Sequence, residues 1–149
     1  DGLDPNQKHH VRRLIQQLAE GSNKMVVVST HILEEVSAVC SRAVIIGRGR
    51  LLADGTPDEL EARSRYHQAV TLSLGQAVST APLESLPGVL AVESQRDGQL
   101  LTVLAKPGEV IFPAVGQVAR EQQWQVNELS VERGRLDEVF RTLTSGEAA

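Results

Sequence analysis

Two short apolar runs, Met25-Val26-Val27-Val28 and Ala43-Val44-Ile45-Ile46, constrain this chain most. Neither alternates with polar residues, and β-branched side chains dominate both. An unbroken run of that length suits a strand covered on both faces, as in a parallel sheet. Helices must do the covering, and the sequence supplies them. Asp4-Pro5 reads as an N-cap followed by Pro at the first helical position, where its missing N–H costs nothing. Val11, Leu14, Ile15 and Leu18 then form one apolar stripe, and Gly21-Ser22-Asn23 ends the helix. Ser29-Thr30-His31 stands at the carboxyl end of the first run, ahead of a short helix from Ile32 to Cys40.

The second run leads into a hairpin through Arg48-Gly49-Arg50, with Leu51-Leu52-Ala53 returning. Thr56-Pro57-Asp58-Glu59 is a capping box opening a helix to about Arg65. A different rhythm follows. Ala69–Leu74 alternates as a strand, and Pro82–Leu86 is a short helix closed by Pro87-Gly88. Val89–Ser94 and Gln99–Ala105 flank Gln95-Arg96-Asp97-Gly98, whose Asp-Gly pair signals a hairpin. Ile111, Phe112, Val115, Val118 and Ala119 line a longer helix. Trp124–Val131 is a fourth strand, and Leu136, Val139, Phe140 and Leu143 mark a last helix. The order β-α-β-β-α-β is that of a ferredoxin-like split βαβ unit with one helix added.

Charge also divides the chain. Residues 1–68 hold nine Lys and Arg against nine Asp and Glu, while residues 69–149 hold six against ten. All four His and Cys40 lie in the first part. Two modules are expected, 1–66 and 67–149. With only Tyr66, Phe112, Trp124 and Phe140 as aromatics, their cores must be aliphatic. The net charge of −4 argues against nucleic acid as a partner. No apolar run approaches the roughly 20 residues that cross a bilayer, and no signal-peptide pattern opens the chain. A single cysteine excludes an internal disulfide framework. The chain starts on Asp1 inside a helix-start signal, so it is expected to be a piece of a longer protein.

On position alone, His31 reads as a capping or core histidine and Asp4 as an ordinary N-cap. A second reading is open for His31. Ligands of open α/β sheets bind outside the carboxyl ends of the strands, where a histidine can reach a phosphate oxygen or a water. Metal binding finds no support: His9 and His10 point about 100° apart on a helix, and Cys40 and His67 are distant in sequence. No G-x-S-x-G elbow is present.

Taken together, Gly2-Leu3-Asp4-Pro5, an amphipathic helix, an apolar strand and Ser29-Thr30-His31 resemble the back half of an ABC transporter ATPase. His31-Ile-Leu-Glu-Glu35, Cys40-Ser-Arg-Ala43 and Ile46-Gly-Arg-Gly-Arg-Leu-Leu-Ala-Asp-Gly-Thr-Pro-Asp-Glu-Leu60 extend the resemblance over residues 1 to about 65. Ser41 departs from it, standing where the family usually has Asp. The second module, ending in Leu136-Asp-Glu-Val-Phe-Arg-Thr-Leu-Thr144, is similar to the C-terminal extension of ATPases in the multidrug and gliding-motility exporter group. Core packing explains the spacing of that last motif equally well.

The resemblance implies a fold class and roles. The fold would be α/β: a partial P-loop NTPase (ABC ATPase) sheet-and-helix segment, then a small ferredoxin-like α+β domain. Gly2, Leu3 and Asp4 would form the D-loop, with Gly2 and Leu3 at the cofactor site and Asp4 at a dimer interface, in communication with the partner's nucleotide. His31 would be the switch histidine that contacts the ATP γ-phosphate, with Ser29 and Thr30 beside the nucleotide. The parent would use ATP and Mg²⁺, pair with a second ATPase subunit and drive a separate membrane permease from the cytoplasmic face. The carboxylate of the family that precedes the D-loop, the G-x-x-x-x-G-K-[ST] phosphate loop and the signature motif are absent from these 149 residues. This segment alone is therefore expected to bind no cofactor and to hydrolyse no ATP. The alternative is a non-enzymatic regulatory or ligand-binding module centred on the ferredoxin-like part. Without flanking strands, the first module is expected to be loosely ordered or to be covered by a second chain through Met25–Ser29 or the 5–20 helix.

Overall fold

The computed structural model describes residues 4–21 and 24–145. Gly2 and Leu3, and the Ser22-Asn23 helix stop, lie outside the described residues. The chain separates into two compact units, Asp1–Pro57 and Asp58–Ala149.

In the first unit, helix α1 spans Pro5–Gly21 and helix α2 spans Leu33–Val39. Strands β1 (Ala43–Gly47) and β2 (Arg50–Gly55) pair antiparallel, joined by a turn at Arg48 and Gly49. Both turn residues have positive φ, 50° and 73°, which is why glycine serves at the second. Arg42 grips Asp54 across this hairpin through two hydrogen bonds of 2.8 and 2.7 Å.

Two sequence expectations are corrected here. Met25–Val28 forms no strand: its side chains are 89, 39, 81 and 44% exposed. A strand needs a neighbouring backbone to take its N–H and C=O groups, and among the described residues no segment pairs with this run. Ala43–Ile46 does form a strand, but in a two-stranded antiparallel hairpin rather than a parallel sheet. Of its side chains only Ile45 is buried, while Val44 and Ile46 face outward.

Helix α3 (Pro57–Glu61) begins where the capping box places it but stops four residues before Arg65. Its end tightens through Arg63 N–H to Leu60 O and Ser64 N–H to Glu61 O, and the chain then turns through residues 62–68.

The rest of the second unit builds a four-stranded sheet. Its strands are β3 (Val70–Leu74), β4 (Val89–Gln95), β5 (Leu100–Ala105) and β6 (Val126–Val131), in the order β4-β5-β3-β6, with every neighbour antiparallel. Helix α4 (Ala81–Glu84) lies between β3 and β4, and α5 (Phe112–Glu121) between β5 and β6. Helix α6 (Leu136–Ser145) follows β6. The loop from β4 to β5 turns through Arg96, Asp97 and Gly98, all with positive φ.

Alternation along β3 sends Val70, Leu72 and Leu74 to one face. There they join Leu101, Val103 and Ala105 of β5, Leu83 of α4, and Val115, Val118 and Ala119 of α5 in one core. The central strand β5 is buried from Leu101 to Ala105, as expected of a strand covered on both faces. Leu60, Leu136 and Val139 are buried outside that cluster.

Candidate functional site

The sequence places its candidate chemistry in the first unit. Asp4 starts helix α1 with reciprocal hydrogen bonds. The Gln7 N–H donates to Asp4 Oδ1 at 2.9 Å, and the Asp4 N–H donates to Gln7 Oε1 at 3.2 Å. This is the capping-box arrangement with Gln at the third position. Asp4 is exposed.

Ser29 is exposed and His31 lies exposed in the bend that precedes α2. The bend is fixed by its neighbour. Thr30 Oγ1 accepts the Ile32 N–H at 3.0 Å and donates to Glu35 Oε2 at 3.3 Å. The second oxygen of Glu35 lies 3.7 Å from Lys8 Nζ on α1. Thr30 and Glu35 are half-buried. No hydrogen bond holds the His31 ring among the described residues, so both ring nitrogens are available to a ligand. Among the described residues, no three His, Cys, Asp or Glu side chains gather as a metal site.

A denser polar cluster lies in the second unit. The Tyr66 hydroxyl donates to Glu93 Oε2 at 2.9 Å, and Arg65 also pairs with Glu93. The Arg135 guanidinium stacks 3.6 Å above the Tyr66 ring. It also forks onto Glu132 through bonds of 2.7 and 2.6 Å, while Thr71 Oγ1 donates to Glu132 at 2.7 Å. Burial pushes the Glu132 carboxyl up, but the Arg135 and Thr71 hydrogen bonds and the Arg135 charge outweigh it and hold the group below its ordinary range. These groups spend their donors and acceptors on each other, which suits a lock between segments rather than a reactive centre.

No family model matches the chain. Curated relatives do. It is 30% identical over 146 residues to the daunorubicin/doxorubicin resistance ATP-binding protein DrrA of Streptomyces peucetius, covering 96% of this chain and 43% of that one. It is 31% identical over 134 residues to the bacitracin transport ATP-binding protein BcrA of Bacillus licheniformis, covering 90% and 39%. The linearmycin resistance ATP-binding protein LnrL of Bacillus subtilis is 25% identical over 146 residues, covering 96% and 46%. The chain is homologous to ABC transporter ATP-binding proteins.

This ABC homologue spans less than half the length of each of these relatives. The matches to DrrA and LnrL run through both units, covering 96% of the chain. No helix among the described residues is long and apolar enough to cross a membrane. The structure adds to Asp4, Ser29, Thr30 and His31 a contact between Lys8 and Glu35 that local sequence does not signal. Their meeting depends on α1 lying against α2, and a spacing of 27 residues gives no local signal of that.

Proposed function

We propose that this chain is the C-terminal portion of the ATP-hydrolysing subunit of an ABC-type exporter, whose parent powers transport through a separate membrane permease. The observation that carries the reading is the match over 96% of the chain to DrrA, a resistance ATP-binding protein. DrrA and LnrL are named for drug resistance and BcrA for bacitracin transport, which favours an exporter.

In this reading His31 is the switch histidine that contacts the γ-phosphate. Its exposed position in a pinned bend suits a phosphate contact, because an imidazole N–H can donate to an anionic oxygen without first losing an internal partner. Asp4, with Gly2 and Leu3, forms the D-loop that faces a second ATPase subunit. Ser29 and Thr30 flank the nucleotide. ATP and Mg²⁺ would be held mainly by residues that this sequence does not contain, since it has no phosphate loop. The parent then works at the cytoplasmic face of the membrane, against its permease.

Residues 1–66 form the end of the nucleotide-binding domain in this reading, and residues 67–149 a ferredoxin-like accessory domain. The strand order β4-β5-β3-β6 and the β-α-β-β-α-β succession support the latter. The bare apolar surface of Met25–Val28, Val44, Ile46 and the α1 stripe supports the former, because such a surface asks for sheet neighbours.

His31→Ala in the complete ATP-binding protein tests the assignment. Loss of one positioned donor should lower ATP turnover about 100-fold. The exposed ring contributes little to folding, so the unfolding midpoint should hold. Turnover at the wild-type rate would overturn the assignment.

A further inference from the structure

We infer that Glu35 is a positioning residue that sets the His31 bend from helix α1. The inference rests on the reading of His31 as the phosphate contact. Three contacts carry it. Thr30 Oγ1 accepts the Ile32 amide at 3.0 Å, closing a small turn around His31. The same hydroxyl donates its one proton to Glu35 Oε2 at 3.3 Å. Glu35 Oε1 lies 3.7 Å from Lys8 Nζ. Lys8 is one helical turn past Asp4, whose carbonyl accepts the Lys8 amide at 2.9 Å. A continuous path therefore runs from the start of α1, through Lys8 and Glu35, to the residue before His31.

Thr30 is the stiff joint of this path. A β-branched side chain has few χ1 states, and here one hydroxyl is bound on both its donor and acceptor sides. Moving the Glu35 carboxylate thus moves the turn that holds His31. The Lys8 contact is a long, half-exposed ion pair, a kind that adds little to stability. Its consequence is placement: a displacement of α1 reaches His31 through Glu35. If Asp4 faces a second subunit, dimer closure and the γ-phosphate contact become linked through these side chains.

The test uses the complete ATP-binding protein. Glu35→Ala should lower kcat about tenfold and leave the KM for ATP within about twofold, as expected of a misplaced catalytic group. Thr30→Val, which removes the hydroxyl that Glu35 holds, should lower kcat as well. In a His31→Ala background, Glu35→Ala should have no further effect, because the residue acts only through His31. A wild-type kcat for Glu35→Ala, beside an impaired His31→Ala, would overturn the inference and leave the His31 assignment standing. A further tenfold loss in the His31→Ala background would overturn it as well. Wild-type turnover by His31→Ala would remove the reading on which it rests.

Discussion

The two units handle apolar side chains in opposite ways. Residues 58–145 bury Val70, Leu72, Leu83, Leu101, Val103 and Val115 almost completely around one sheet. Among the described residues of the first unit, only Ile45 and Ala53 are buried hydrophobics. Its Met25, Val27, Leu14, Val44, Ile46 and Leu51 are all exposed. The difference does not come from a shortage of apolar residues. The second unit has four strands with α4 and α5 against them, so a core forms there although Leu90, Val110 and Phe140 stay exposed. The first has a two-stranded hairpin, and an isolated hairpin cannot cover itself. The candidate chemistry, Asp4 and His31, belongs to the unit that lacks a core, while the unit with the core carries a satisfied polar lock.

The sharpest contrast is one substitution made in both units. A Cβ on Gly134 would sit 2.0 Å from the Glu61 carbonyl oxygen, at a φ of +129°. That neighbour is backbone and cannot swing aside. Gly134→Ala should destabilise the second unit by about 4 kcal/mol, among the large single-residue effects. A Cβ on Gly49, at φ +73°, meets nothing within 4 Å. Gly49→Ala should cost about 1 kcal/mol, the strain of the left-handed backbone alone. The single tryptophan, Trp124, packs against the second unit's core, so its fluorescence in urea reports that unit by itself. Equal costs for the two variants, with Gly49→Ala read by circular dichroism, would erase the contrast.

Truncating a leucine extends the comparison. Leu101 is fully buried, and Leu101→Ala should cost about 3 kcal/mol in transfer and cavity terms. Val27 is 81% exposed, and Val27→Ala should change stability by less than about 0.5 kcal/mol. A Val27→Ala cost near that of Leu101→Ala would mean the run is covered.

The smallest effect concerns pH. The folded-state pKa of Glu132 lies below its unfolded value, held there by Arg135 and Thr71 against the opposing push of burial. Its contribution is therefore complete above roughly pH 4.3, the ordinary glutamate value, and disappears as pH falls through the lower folded value. Wild type and Glu132→Gln should differ in urea midpoint at neutral pH and converge in acid. A gap that stays constant down to pH values below both pKa values would contradict this.

Local chemistry made much of the second unit legible. The alternation of Val70–Leu74, the punctuation at Pro87-Gly88 and the stripe of Val115, Val118 and Ala119 each declare an element and its buried face. The hairpin at Arg48-Gly49 was equally readable. The run Met25–Val28 misleads because composition states a demand for burial, while a strand also requires a partner backbone. Helix α3 ends early because the following residues turn toward partners far away in sequence: Tyr66 reaches Glu93, and His67 Nδ1 lies 2.6 Å from the Arg133 carbonyl oxygen. At the candidate site, Asp4 and His31 stand in recognisable local patterns. Glu35 stands in the pattern that follows His31, but its contact with Lys8, 27 residues away, has no spacing that marks it.

Amide hydrogen exchange on this 149-residue chain, with sedimentation to confirm a monomer, tests the central contrast most directly. The second unit should hold its own protection: Leu72, Leu101 and Val103 should open only with global unfolding of that unit. Val26, Val27 and Val28 should exchange at close to unprotected rates, because no backbone partner takes their N–H groups in the described chain. Val26–Val28 amides protected as strongly as that of Val103, in a monomer, would contradict the claim that the first unit needs cover from outside the chain.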